Sequence, residues 1–162
     1  MNKIIKNNSL ILRKIIKSDA STLVKWFNNK QLGRYMDDSE PDKIYDLEDI
    51  YEMISSVDSH YLILQQGKRL IGYASLYNRV ESKSEFSFLI GIPSMHNKGL
   101  GTQLLNLLSN LASSIGIKTL YCWIYKNNQA SIRCVKKAGF IIEHNQKSLK
   151  NEVKWYKNII LK

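Results

Sequence analysis

The sequence predicts an α/β domain spanning residues 1–162, with seven strands and four helices in the order β-α-α-β-β-β-α-β-α-β-β. Three observations carry this expectation. Glu85–Ser114 reads as a buried strand, a loop with two glycines and a long amphipathic helix. Asn128–Phe140 reads as a short helix with its own start and stop signals. A chain of 162 residues with 44% hydrophobic content suits one core burying about two thirds of the unfolded surface.

In chain order, Leu10–Ile16 is the first expected strand. Ser18 or Asp19 is placed to cap a helix through Trp26 and Phe27, with Leu23, Val24 and Phe27 as core candidates. Asn28, Asn29 and Lys30 stop it. A loop over Asp37–Pro41 and a helix over Leu47–Ser55 follow. His60–Gln65 and Leu70–Tyr77 are strands joined at Gln66-Gly67-Lys68, an easy hairpin. Arg79–Ser84 reads as a polar turn into the strand Glu85–Ile90. Pro93 ends that strand because proline cannot donate to a sheet ladder. From Leu100, the residues Leu104, Leu108, Leu111 and Ile115 recur at steps of four and three, so one helix side faces a core. Gly116 ends this helix, and Thr119–Tyr125 is the next strand. Asn127 or Asn128 then N-caps a helix whose last turn carries Lys136 and Lys137, and Gly139 suits the left-handed position past its end. Phe140–His144 and Val153–Leu161 close the chain as an antiparallel pair.

The loop His96-Asn97-Lys98-Gly99-Leu100-Gly101-Thr102 carries the first chemical signal. Its glycines let backbone amides turn toward one point, and the helix that follows adds unpaired N–H groups and a positive dipole end. An anion, a phosphate above all, belongs there. The P-loop needs a longer glycine spacing and a Lys-Ser/Thr pair, and the dinucleotide fingerprint needs a third glycine where Leu104 stands.

The loop resembles the signature of the GNAT superfamily of acetyl-CoA-dependent N-acetyltransferases, Gln/Arg-x-x-Gly-x-Gly/Ala after a strand ending near a proline. Gly99 and Gly101 match, and His96 stands where the family has Gln or Arg. Asn128 to Phe140 resembles the downstream pattern, Asn-x-x-Ala/Ser and then Lys-x-Gly-Phe. The resemblance implies a mixed seven-stranded sheet with helices on both faces, in which the strand of Glu85 splays away from the strand of Thr119. It implies acetyl-CoA as co-substrate, with its pantetheine in that gap. Leu89, Ile90 and Gly91 would pair with the pantetheine and supply the thioester-oxygen donor. The amides from His96, Asn97, Lys98, Gly99, Leu100, Gly101 and Thr102 would hold the pyrophosphate, with Lys98 adding charge. Asn128 and Ser131 would complete the cofactor site, Ser131 facing the sulfur.

The implied reaction is direct attack of an amine on the thioester. An alkylamine is neutral only about once in 10³ at pH 7, a handicap of roughly 4–5 kcal/mol, so a base is the most valuable catalytic group. Glu85 is the candidate base; its ordinary alternative is a solvated strand-end carboxylate. The thiolate leaves readily, so an acid matters less. Many family members carry a tyrosine for this purpose where this chain has Val135. Members acting on ribosomal-protein N-termini often lack it and share Asn-x-x-Ser. Ser131 and Tyr125 are the alternative donors here, against a backbone-bonding serine and a tyrosine with a wet tip.

Charge bears on the acceptor. The net charge is +10, from 24 basic and 14 acidic residues. Eight of those fourteen lie in residues 37–52, which by resemblance border the acceptor cleft. A negative wall there favours a polyamine, an aminoglycoside or a basic peptide, so the expected partner is a small-molecule amine or a protein N-terminus. Tyr35, Trp26 and Trp155 are cleft candidates for which core packing is the better reading. No nucleic acid is expected, because no aromatic-basic RNA motif or recognition helix accompanies the charge. No apolar run approaches the ~20 residues of a membrane span. Cys122 and Cys134 lack metal spacing and suit the reduced thiols of a cytoplasmic protein, and the scattered His60, His96 and His144 suggest no metal. A homodimer is left open. A binding-only sensor of the same fold is the alternative function, with Val135 as its best argument.

Overall fold

The computed structural model describes residues 5–7, 9–32, 43–144 and 151–160. The elements are β1 (Ile5–Asn7), β2 (Leu10–Lys14), α1 (Ala20–Phe27), α2 (Leu47–Ser55), β3 (His60–Gln66), β4 (Arg69–Val80) and β5 (Lys83–Ile90). After them come α3 (Leu100–Ser114), β6 (Thr119–Tyr125), α4 (Gln129–Lys137), β7 (Ile141–Ile142) and β8 (Glu152–Asn158). Among the described residues the strands form one sheet in the order β1-β2-β3-β4-β5-β6-β8-β7. The seven expected strands are all present. β1 is an addition, a three-residue edge strand antiparallel to β2.

Among the described residues only β5 and β6 run parallel, and they pair at Lys83–Thr119, Ser84–Leu120 and Glu85–Tyr121. Pairing then stops, although β5 continues to Ile90 and β6 to Tyr125. The sheet therefore opens into a V with Glu85 and Tyr121 at its vertex. Each face carries its own core, as alternation along the strands requires. Leu62, Leu64, Leu76, Phe86 and Leu120 pack with Leu104, Leu105 and Leu108 of α3 and Val135 of α4. Ile63, Tyr73 and Leu89 pack on the other face with Leu23, Trp26 and Phe27 of α1 and Ile50 of α2. A bulge at Ile71, where the register jumps from Leu64–Gly72 to Gln65–Leu70, lets both Ile71 and Ala74 join the α3 face.

Several elements differ from expectation. β2 stops at Lys14, although the Ile15 amide still donates to the Tyr61 carbonyl at 3.0 Å. Neither Ser18 nor Asp19 caps α1 with its side chain. Asp19, 2% exposed, turns back instead: it accepts the Ile16 amide at 2.9 Å and holds Arg13 through two bonds of 2.7 and 2.9 Å. A buried, doubly bonded carboxylate of this kind is satisfied by its ion pair rather than by the helix. The polar turn expected over Arg79–Ser84 shrinks to Glu81-Ser82, because β4 runs on to Val80 and β5 begins at Lys83. The closing pair is also shorter than expected, with β7 limited to two residues. The α2 limits agree with expectation, and Asp46 and Asp49 form a capping box at its start that was not expected. The expected loop Asp37–Pro41 and Tyr35 lie outside the described residues.

Candidate active site

The loop between β5 and α3 is built by two left-handed residues, Asn97 at φ 60° and Gly99 at φ 76°. Turn conformations of this kind make a concave row of amides. The His96 amide is taken by the Pro93 carbonyl at 3.0 Å, so this residue contributes no backbone donor to that row. The amides of Asn97, Lys98, Gly99, Leu100, Gly101 and Thr102 have no acceptor among the described residues. The His96 ring bonds the Ile90 carbonyl through Nε2 at 2.8 Å. A carbonyl only accepts, so Nε2 carries the proton and the ring ties the loop to the strand. Lys98 is exposed beside the amides. The site has the donor set that a pyrophosphate needs.

From this loop β5 leads toward the vertex. Past Glu85, its edge facing β6 has no strand partner, which leaves room for an extended chain to pair there. The Gly91 amide is unavailable for that purpose, since it donates to the Ile71 carbonyl at 2.8 Å. Gly91 is glycine for a steric reason: a Cβ there would lie 2.0 Å from the Trp26 ring. Leu89 turns its side chain into the α1 core, 8% exposed, and Ile90 packs against the other core. Trp26 and Trp155 are both core residues.

The vertex opens on the α1–α2 side into a cleft of about 550 Å³. Its walls carry Tyr45, Tyr61, Tyr73, Tyr77, Trp123 and Tyr125, and among the described residues its carboxylates are Glu85 and Glu152. Asn128 and Ser131, from the start of α4, reach the same space. Asn128 N-caps α4 by accepting the Ser131 amide at 3.2 Å. The structure thus brings Glu85, Tyr125, Asn128 and Ser131 together. Val135 is fully buried and packs in the core, so it offers no proton.

Glu85 is held from two sides. The Tyr77 hydroxyl donates to Oε1 at 3.3 Å and the Asn78 amide to Oε2 at 3.0 Å. Burial first, and then the charge of Glu85, pushes the Tyr77 hydroxyl far above the ordinary tyrosine range. The same two causes raise Tyr121. Both hydroxyls therefore stay protonated and able to donate. Sequence reasoning missed Tyr77 and Asn78 because strand register alone brings them to Glu85.

Asp37, Asp38, Glu40 and Asp42 of the expected acidic wall lie outside the described residues. Among the described carboxylates of residues 43–55, Asp46 and Asp49 cap α2 and Asp49 also pairs Lys43 at 3.1 Å. Tyr45 and Met53 are the residues of this segment that line the cleft. Among the described residues, the carboxylates that line the cleft come from β5 and β8. No cluster of metal ligands exists among the described residues, and no helix of theirs is long and apolar enough to cross a membrane.

The sequence profile described as Acetyltransferase (GNAT) domain matches residues 9–141. The chain belongs to this family of acetyltransferases. Comparison by sequence with curated proteins finds no match. Among solved structures, the chain is similar to a spermidine N-acetyltransferase from Vibrio cholerae in complex with CoA and spermine. The TM-score is 0.78 at 20% identity, over 94% of this chain and 97% of that one. It is similar also to the aminoglycoside acetyltransferase AAC(6')-Ib with coenzyme A and kanamycin, with a TM-score of 0.77 at 20% identity over 93% and 95% of the two chains. A third is RimL, a ribosomal L7/L12 alpha-N-protein acetyltransferase in complex with coenzyme A, with a TM-score of 0.79 at 16% identity over 97% and 98%. At these identities the likeness is one of fold.

Proposed function

We propose that this chain, as one domain, transfers an acetyl group from acetyl-CoA to a primary amine by direct attack. Glu85 takes the proton of the incoming ammonium, directly or through water. The observation that carries this reading is the place of Glu85: at the vertex of the V, facing the cleft, with its carboxylate oxygens held by Tyr77 and Asn78. The amides of Asn97–Thr102 and Lys98 hold the pyrophosphate. The free edge of β5 near Leu89 and Ile90 pairs with pantetheine. Ser131, or Tyr125 at the end of β6, faces the sulfur and donates to it. Acetyl-CoA supplies the activated acyl group; the chain orients it and moves the amine's proton.

The acceptor is a small cationic amine of the polyamine or aminoglycoside kind, or a protein N-terminus. Its support is the aromatic cleft with Glu85 and Glu152, since ring faces and carboxylates both attract ammonium groups. The rings next to the cleft already do so within the chain: Lys154 Nζ lies 4.5 Å from the Tyr121 ring centre and 5.8 Å from that of Trp123. The solved relatives named for spermidine, aminoglycosides and a ribosomal protein span the same range of acceptors. Reduced Cys122 and Cys134 fit a cytoplasmic setting.

A second reading, a binding-only sensor, draws on the buried Val135 where many relatives place a tyrosine. Thiol release from acetyl-CoA with spermidine, kanamycin and an N-terminal peptide separates the two. Turnover with any of them supports transfer, and acetyl-CoA binding without turnover supports the sensor.

A further inference from the structure

The ladder between β4 and β5 is regular from Gly72–Ile90 to Tyr77–Glu85 and then jumps to Val80–Lys83. Asn78 and Arg79 of β4 therefore stand opposite Ser84 alone. Ser84, 1% exposed, fixes this bulge by donating its hydroxyl to the Tyr77 carbonyl at 2.9 Å. Asn78 sits at φ 46°, in the left-handed region where asparagine is among the few non-glycine residues commonly found.

In a regular strand consecutive side chains point to opposite faces, so Tyr77 and Asn78 would not reach the same group. Here they hold the two oxygens of one carboxylate. The extra residue turns the Asn78 amide back onto Glu85, and bulges beside active sites commonly re-aim a side chain in this way. The strain at Asn78 is stored next to the group it serves.

We infer that Asn78 is a positioning residue for the transfer reaction: delivered by the bulge, its amide fixes the Glu85 carboxylate toward the cleft. This rests on Glu85 acting as the base. The titratable groups placed against Glu85 are the Tyr77 hydroxyl from β4 and, from β6, the Tyr121 hydroxyl and the Cys122 thiol. Burial first, and the Glu85 charge next, raises all three, so each is neutral at working pH. Lys83, on the same face of β5 two residues earlier, is exposed to solvent. Loss of one of its two donors leaves the carboxylate free to turn from the cleft.

The test is the split between kcat and KM for the full chain and its variants Asn78→Gly, Asn78→Asp and Glu85→Gln, with acetyl-CoA and the best amine of the acceptor panel. Glycine keeps the left-handed backbone without strain and removes only the amide. Asn78→Gly is expected to lower kcat by about tenfold, with KM for acetyl-CoA unchanged. Asn78→Asp should lower kcat further, because it sets a second carboxylate beside the first. A wild-type kcat in Asn78→Gly, with Glu85→Gln impaired, would overturn the role of Asn78 alone. A fully active Glu85→Gln would overturn the base assignment and the Asn78 role with it.

Discussion

Gly101 lies against Cys134: a Cβ added at Gly101 would sit 2.7 Å from the Cys134 sulfur and 3.7 Å from Phe88. α4 thus rests its Cys134 side chain on the bare backbone of α3, directly below the loop that presents the amides. Gly101→Ala gains up to about 1 kcal/mol of helix propensity and loses about 1–3 kcal/mol to overlap. We expect a lower melting temperature and weaker acetyl-CoA binding. In a Cys134→Ala background the overlap is gone, and the same substitution should raise the melting temperature. A melting series of the four proteins checks both signs.

Gly91 is more constrained. Its amide is bonded to Ile71 and its Cα is covered by the Trp26 ring, 2.0 Å from where a Cβ would stand. Gly91→Ala must displace an indole that is 7% exposed and packed in a core. A loss of about 3 kcal/mol is expected, at the upper end of overpacking costs. Urea unfolding of the variant measures it, and a replacement of Trp26 by Leu in the same chain should return part of the loss.

Glu85→Gln should lower kcat by about 10²–10⁴ while the dissociation constant for acetyl-CoA stays unchanged by calorimetry. The residual rate has a signature. Without a base, turnover depends on the neutral fraction of the acceptor, which rises about tenfold per pH unit below its pKa. The variant's rate should therefore climb steeply from pH 7 to 9, where the wild-type rate climbs less.

Buried tyrosines set the alkaline limit of stability. Burial raises Tyr73 and Tyr77 above the ordinary value of 10.0. Folded pKa values above the unfolded one mean that the folded chain holds its proton longer. This stabilisation is full below pH 10 and is lost as pH rises from there toward the folded values, at up to about 1.4 kcal/mol per unit per tyrosine. His60 acts at the other end. Burial, then Lys14 and Arg79, lowers it below 6.5, so its contribution is lost as pH falls under that value. Denaturant midpoints between pH 5 and 11 should fall at both ends, and Tyr73→Phe should flatten the alkaline arm.

What was legible in the sequence was what short-range chemistry decides. The limits of α2 and β6 agree with the expected Leu47–Ser55 and Thr119–Tyr125, and α3 begins at Leu100 with Gly99 left-handed before it. The Asn128 cap, glycines and an apolar repeat act over a few residues, so they show in a single chain. The missed features depend on partners far along the sequence. β1 is three residues with no period of its own, and only pairing with β2 makes it a strand. Asp19 looked like a cap because nothing local reveals that Arg13 claims it. At the site, glycines and Asn128 were visible as motif residues. The grip of Tyr77 and Asn78 on Glu85 arises from ladder register and a bulge, which no local pattern encodes.

The seam of three rungs between β5 and β6 has a mechanical consequence. It divides the sheet into two panels, β1 to β4 with β5 on one side and β6 with β8 and β7 on the other, joined in the sheet at one corner. Ligand lying between the panels acts as a splint across that corner. Saturation with acetyl-CoA should then slow amide exchange most along the facing edges of β5 and β6, and least in β2 and β3.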